Sequence, residues 1–454
     1  MYGMRRLAWC AIVVALAAAG ACGSDDASTT DQPSAQSSTS TDEGFEPGET
    51  TVTPDTGDSL PVDIVSVAAR SEPVAGRALA GQAITEFGLD LFGEVRSGTP
   101  ATNTTVSPMS VAIALAMVEP GTVDLAREQM RAILRIDDPD AFHASMNALE
   151  QDLETRTPGS FGEDSDPGQV TVNVANAAFL QRGYPFEQGY LDAVGSNYGP
   201  VLREVDFAPD PDQVAHQIND FVADATNDQI LDLIADGTIR PETVLALVNA
   251  LYLKASWLVP FNESATTDRP FTLLDGSTVD VALMNGFGTS SAAGDGWVGA
   301  KKSYVGGLSA QFILPDEGRF DEVAANLAKV FADYELNLTS GAEVVVPRFR
   351  TRTSTELTPA LNGLGLTAPY AEGGLLGVAN DPRLVIDQVI HEAFVAMDEE
   401  GTEAAAATVV LEYPTSAPLL PPVPVVLDRP FLYRIIDDAS GATLFIGQIT
   451  NPNN

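Results

Sequence analysis

Two long apolar runs, Val244–Leu253 and Leu384–Met397, restrict the folds open to this chain more than any other feature. A strand with one wet face alternates apolar and polar residues, but these runs are mostly apolar on both faces. Each must therefore be a central strand of a sheet covered on both sides. Helical spacing is legible in Ala80–Val95, Val111–Val118 and Gln217–Ile234. Phe431–Ile436 and Thr443–Ile449 flank Asp437-Asp438-Ala439-Ser440-Gly441 and predict a hairpin. Helices early and strands late imply an α+β domain with large, mostly antiparallel sheets.

The N-terminal region is of a different kind. Arg5 and Arg6 precede the apolar run Leu7–Ala21, which is shorter than the ~18–20 residues that span a bilayer and suits an export signal. Ala19-Gly20-Ala21-Cys22 resembles a bacterial lipobox, which implies a lipid on Cys22 and a protein exported and held at the outer face of the cell membrane. The alternative is a plain Ala-x-Ala cleavage site and an unanchored extracellular product. From Gly23 to about Leu60 the chain is Ser, Thr, Asp, Glu, Gly and Pro and reads as a tether. The expected organisation is a signal over 1–21, a tether over 22–72 and one folded domain over 73–454. The other cysteine, Cys10, lies inside the signal, so the mature chain has no internal disulfide.

Charge and motif content exclude several functions. Lys and Arg number 24 against 63 Asp and Glu, a net charge of −39, and the lysines are only Lys254, Lys301, Lys302 and Lys329. Such a field repels phosphate backbones, so nucleic acid is not an expected partner. The histidines are His143, His216 and His391, with no His-Glu-x-x-His, cysteine cluster or Gly-x-Ser-x-Gly. No metal, cofactor or catalytic residue is expected. Gly294-Asp295-Gly296-Trp297-Val298-Gly299 fits a dinucleotide fingerprint in letters only, because the following Leu308–Leu314 reads as a strand rather than a phosphate-binding helix. Lys301-Lys302-Ser303 likewise fails as a phosphate loop.

Four polar residues sit in apolar surroundings. His391 shares a strand face with Val389, Ala393, Val395 and Met397, Asn249 interrupts the Val244–Leu253 run, and Ser107 and Ser110 open an apolar helix. Buried there, they need hydrogen-bond partners and could satisfy one another.

Six collinear motifs then resemble the serpins, over about residues 75–454. Asn103-Thr104-Thr105-Val106-Ser107-Pro108-Met109-Ser110 is similar to the family's Asn-x-x-x-Ser-Pro-x-Ser. Leu247-Val248-Asn249-Ala250-Leu251-Tyr252-Leu253-Lys254-Ala255-Ser256-Trp257 resembles its Leu-Val-Asn-Ala-x-Tyr-Phe-Lys-Gly-x-Trp strand. Phe312–Gly318, Val346-Pro347-Arg348-Phe349, the hinge Glu399–Thr408, and Asp428-Arg429-Pro430-Phe431 with Phe445-Ile446-Gly447 continue the match. The resemblance implies a serpin fold of three β-sheets and about eight or nine helices, with an exposed reactive loop from Glu400 to about Val425.

It also implies an irreversible, suicide-substrate inhibitor of serine proteases, not an enzyme, acting as a monomer. The target cuts the loop, and the cut strand inserts into the central sheet before the acyl-enzyme hydrolyses. This strand addition is a known property of the family. Ser107, Ser110, Asn249 and His391 would form the polar cluster beneath the strands that part. In the hinge, alternation puts Thr402, Ala404, Ala406 and Thr408 on the buried face, so no charge need be desolvated, and Glu403 points outward. Gly401 would supply backbone freedom beside Glu399. The family usually places the residue before the cleaved bond sixteen positions after the glutamate matching Glu399, so the resemblance implies a scissile bond at Thr415-Ser416, suited to elastase-like or subtilisin-like enzymes with small S1 pockets. Counting back from Pro430-Phe431 favours Leu419, and Tyr413 would suit chymotrypsin-like enzymes. The alternative function is a non-inhibitory serpin that carries a ligand or partner.

Overall fold

The computed structural model describes residues 10–20, 68–74, 76–156, 170–402 and 424–454. The described helices are α1 (Ala78–Gly98), α2 (Pro108–Val118), α3 (Asp124–Ile133), α4 (Pro139–Glu154), α5 (Gln188–Tyr198), α6 (Pro211–Ala225), α7 (Phe320–Ala325), α8 (Leu327–Leu336) and α9 (Thr358–Gly363). The strands are β1 (Cys10–Gly20), β2 (Thr104–Val106), β3 (Val170–Gln181), β4 (Val201–Val205), β5 (Thr243–Ser256), β6 (Thr267–Thr272), β7 (Thr278–Gly294), β8 (Trp297–Ser303), β9 (Leu308–Pro315), β10 (Thr339–Pro347), β11 (Phe349–Glu356), β12 (Leu384–Met397), β13 (Gly401–Thr402), β14 (Pro424–Val426), β15 (Phe431–Asp437) and β16 (Thr443–Ile449).

The two apolar runs become β5 and β12 of a seven-stranded sheet ordered β11-β12-β1-β5-β3-β4, with β13 added on β5. The other strands form a nine-stranded ladder, β14-β10-β7-β8-β9-β15-β16-β2, with β6 on β7. The first half of β7 pairs with β6 and its last five residues with β8, so this ladder divides into two sheets that share one long strand. The fold is α+β with three sheets. β15 and β16 make the expected hairpin.

Every residue of α2 is buried, and the helix lies against β5 and β16. A helix apolar all round belongs inside a core. Its start is fixed by Pro108 in the first turn and by Ser107, whose hydroxyl accepts from the Ser110 amide at 3.2 Å. The helix expected over Gln217–Ile234 instead ends at Ala225. Asn227 and Asp228 adopt φ of 51° and 59°, which no right-handed helix can include. Ile230, Leu233 and Ile234 still pack into the cluster that α6 covers, so the apolar spacing reported burial rather than helix.

The apolar N-terminal run supplies β1, which pairs in parallel with both β12 and β5 and sets Leu16 opposite His391 on one side and Asn249 on the other. Gly294–Gly299 is a hairpin turn between β7 and β8, with Gly296 at φ 78°. Among the described residues no helix is long and apolar enough to cross a membrane.

Candidate functional site

The polar residues of interest line one seam, between β5 and β12. At its upper end the chain leaves β12 and reverses over Asp398–Gly401. The Asp398 carboxylate accepts from the amides of Glu400 at 3.0 Å and Gly401 at 3.1 Å, and the Asp398 amide donates to the Gly401 carbonyl at 3.1 Å. The reversal brings Gly401 and Thr402 back antiparallel to β5, opposite Ser256 and Ala255. Trp257 holds the turn from the other side, its amide donating to the Glu400 carbonyl at 2.8 Å and its indole N–H to the Asp398 carbonyl at 2.9 Å.

Gly401 is required here for a reason other than the expected freedom. Its φ is not positive, but a Cβ would lie 2.1 Å from the Ala255 carbonyl oxygen. Only glycine lets the two backbones approach so closely. Thr402 is fully buried and its hydroxyl shares a 2.8 Å hydrogen bond with the Tyr304 hydroxyl, while the Tyr304 ring stacks on Trp257 at 4.0 Å. A small side chain with one hydroxyl fits this aromatic floor.

Glu399 is buried, and Arg348 grips its carboxylate through two bonds of 2.7 and 3.1 Å while the Thr266 hydroxyl adds a third at 2.7 Å. Burial pushes this carboxyl up, but the hydrogen bonds from Arg348 and Thr266 outweigh it and hold it below the usual range. Nearby, Lys302 is buried on β8 over the rings of Phe261 and Trp257, and its ammonium donates to the Val259 and Phe287 carbonyls at 2.6 and 3.1 Å. Burial lowers its pKa to about 7.

Half-way down the seam the structure brings Ser107, Ser110, Asn249 and His391 together, all fully buried. His391 Nε2 accepts from the Ser107 amide at 3.1 Å, and the Ser110 hydroxyl donates to Asn249 Oδ1 at 2.5 Å. The sequence did not single out the groups that extend this cluster. Asn249 Nδ2 donates to Asn176 Oδ1 at 2.8 Å, and Asn176 Nδ2 donates to Glu150 Oε2 at 2.9 Å. Asn176 was detectable, since it shares a face of β3 with Val170, Val172 and Val174.

The remaining histidines lie elsewhere. His143 is wedged between the Tyr198 hydroxyl at 2.5 Å and Glu119 at 3.1 Å, and His216 meets Asp236 at the surface. Among the described residues no group of His, Cys, Asp and Glu has metal-holding geometry. Ala404, Ala406, Thr408, Tyr413, Thr415, Ser416, Leu419 and Cys22 lie outside the described residues.

A family model described as serpin (serine protease inhibitor) matches residues 82–452. An uncharacterized serpin-like protein of Thermococcus kodakarensis is 31% identical, the match covering 82% of this chain and 85% of that protein. The leukocyte elastase inhibitor of Sus scrofa is also 31% identical, over 81% of this chain and 98% of its own. Among solved structures, the thermophilic serpin tengpin in its native state superposes with a TM-score of 0.72 at 22% identity, covering 86% of this chain and all of that one. Thyroxine-binding globulin in complex with thyroxine gives 0.69 at 24%, covering 83% and 99%. At these identities the two structures speak to the fold alone.

Proposed function

Because this chain belongs to the serpin family, whose members mostly inhibit serine proteases and are mostly extracellular, we propose that it is an irreversible suicide-substrate inhibitor of serine proteases. The observation that carries the reading is the state of the seam. A strand of eleven residues fits between β5 and β12, and the hinge already enters antiparallel at the top through Gly401 and Thr402. A loop cut beyond this point continues in the direction it has begun. The residues that follow, with Ala404, Ala406 and Thr408 on the inward face, can be buried without desolvating a charge.

The same hinge disfavours the ligand-carrier reading, since nothing in Gly401-Thr402-Glu403-Ala404-Ala405-Ala406-Ala407-Thr408 obstructs insertion. The bait bond is Thr415-Ser416, which suits elastase-like or subtilisin-like enzymes, and the protein works outside the cell on a tether anchored by lipid at Cys22. The test is incubation of the chain 22–454 with one enzyme of each kind, followed by denaturing electrophoresis and mass spectrometry. A covalent band at the summed mass and a released peptide beginning at Ser416 are expected. Cleavage without such a band across a broad protease panel overturns the inhibitory reading.

A further inference from the structure

The polar cluster in the seam does not end beneath the sheet. From Asn249 it runs through Asn176 to Glu150 on α4, and Glu150 Oε2 also accepts from Arg70 Nη2 at 3.1 Å. Five side chains thus connect α2, β5, β3, α4 and the segment before α1 in one unbroken relay: Ser110, Asn249, Asn176, Glu150 and Arg70.

Arg70 lies in the stretch that the expected organisation counts with the tether, yet it is firmly held. Its guanidinium also reaches Glu154 at 3.0 Å and Asn147 Oδ1 at 2.9 Å. Its stem packs on Gly199, the left-handed C-cap of α5, where a Cβ would meet the arginine Cδ at 2.7 Å. The flanking backbone is pinned as well. The Ser71 amide donates to the Ser196 carbonyl at 2.8 Å, the Ser71 carbonyl accepts from Asn147 at 2.9 Å, and the Ala68 amide donates to Asp192 at 3.1 Å. A flexible leader needs no such socket. Glu150 is fully buried, its Oε1 has no hydrogen-bond partner, and among the described residues Arg70 is the one cation that reaches its carboxyl group. Leaving such a buried carboxyl without its donor is costly.

The relay is intact while a strand fills the seam, so it is compatible with the parted arrangement of the sheet. We propose that Arg70 and Glu150 are positioning residues for strand insertion, bracing Asn176 and through it Asn249 so that β5 stands far enough from β12 to admit a strand. This rests on the insertion reading above. It makes the segment before α1 part of the inhibitory machine: a chain trimmed to begin at residue 73 keeps the sheets and loses the brace.

The test compares the chain 22–454 with its Arg70→Ala, Arg70→Lys, Glu150→Gln and doubly substituted R70A/E150Q forms. The readouts are the stoichiometry of protease inhibition, the rate at which a synthetic peptide of residues 400–415 anneals, and the thermal midpoint. Arg70→Ala is expected to slow annealing about tenfold and raise the stoichiometry, with Arg70→Lys recovering most of the loss because it restores the charge. In the double substitution the thermal midpoint recovers, since the buried carboxyl that Arg70 served is gone, but annealing stays slow. If Arg70→Ala lowers the midpoint and leaves the annealing rate unchanged, or if annealing recovers with the midpoint in the double form, the bracing role is overturned and Arg70 only satisfies a buried carboxyl. If no form traps protease, the inhibitory reading fails, and the annealing rates still decide the brace.

Discussion

Thr402→Arg places a charge at the first buried position of the hinge. The hydroxyl it replaces is fully buried, 2.8 Å from the Tyr304 hydroxyl and beside the stacked pair Tyr304–Trp257. A guanidinium there would have to be desolvated, at a cost of several kcal/mol. Because Thr402 already sits beside β5 before any cleavage, the substitution acts on the resting protein and displaces the hinge before a protease arrives. The outcome depends on a race between insertion and hydrolysis of the acyl-enzyme. If ~3 kcal/mol of the cost falls on the insertion barrier, that step slows by about 150-fold. An inhibitor whose insertion wins the race by about tenfold would then lose it by more than tenfold, and its stoichiometry would rise from near one to above about ten. Titration of a fixed amount of protease with wild type and variant measures this directly. Thr402→Val is the control, since it keeps size and burial and forfeits one hydrogen bond of ~1 kcal/mol, so its stoichiometry should stay close to wild type. A Thr402→Arg protein that traps protease at unchanged stoichiometry would refute the requirement for an uncharged hinge.

Three further outcomes are expected. Arg348→Met leaves buried Glu399 without its cation and should cost about 1.5–3 kcal/mol at neutral pH, the range for hydrogen bonds to charged groups. Since the Glu399 carboxyl is held low, its stabilisation is present above the unfolded pKa and lost as pH falls through the folded one, so acid unfolding curves of the two proteins should converge at low pH; a constant offset would show that the pair is not its source. Glu150 behaves oppositely, because burial raises its pKa to about 8 and the folded state holds a proton that the unfolded state has lost. Between about pH 4.5 and 8 the wild type should therefore lose stability relative to Glu150→Gln, by at most ~1.4 kcal/mol per pH unit, and a flat difference in denaturant titrations would sink the assignment. A chain that retains residues 1–21 should anneal the 400–415 peptide far more slowly than the chain 22–454, and equal rates would mean that β1 does not hold the seam.

What the sequence disclosed follows its physical contrasts. β5 and β12 were legible because long two-faced apolar runs have few other uses, and Ser107, Ser110, Asn249 and His391 because each is polar where its neighbours are not. Arg70 and Glu150 offered less contrast. Arg70 sits just before the folded part, a lone arginine after Val65-Ser66-Val67-Ala68-Ala69 with no periodicity to place it, and Glu150 is one acid among several on α4. Helical phase was the available clue: Glu150 lies four residues after buried Met146 and three before buried Leu153, hence on the covered face. Lys302 was concealed by a sequence, Lys301-Lys302-Ser303, that reads as surface charge until strand alternation turns Lys302 inward and leaves Lys301 paired with Asp438. The end of α6 was missed because the apolar residues beyond Ala225 keep facing the same cluster after the helix has stopped.

The directions of the strands around the seam indicate why insertion should run downhill. β1 is parallel to both β5 and β12, so those two strands are parallel to each other. Closed on themselves they could form one parallel ladder only. The hinge enters antiparallel to β5, and a loop that continued along it would replace that ladder with two antiparallel ones, which are the more stable kind per residue. β1 in the same place makes two parallel ladders and so satisfies the seam less well. The two occupants also exclude each other in register. Thr402 stands opposite Ala255 and Gly20 opposite Leu253, so a loop advancing residue by residue meets the end of β1 at Ala404. Removing residues 1–21 would thus clear the path for the strand that the hinge has already begun.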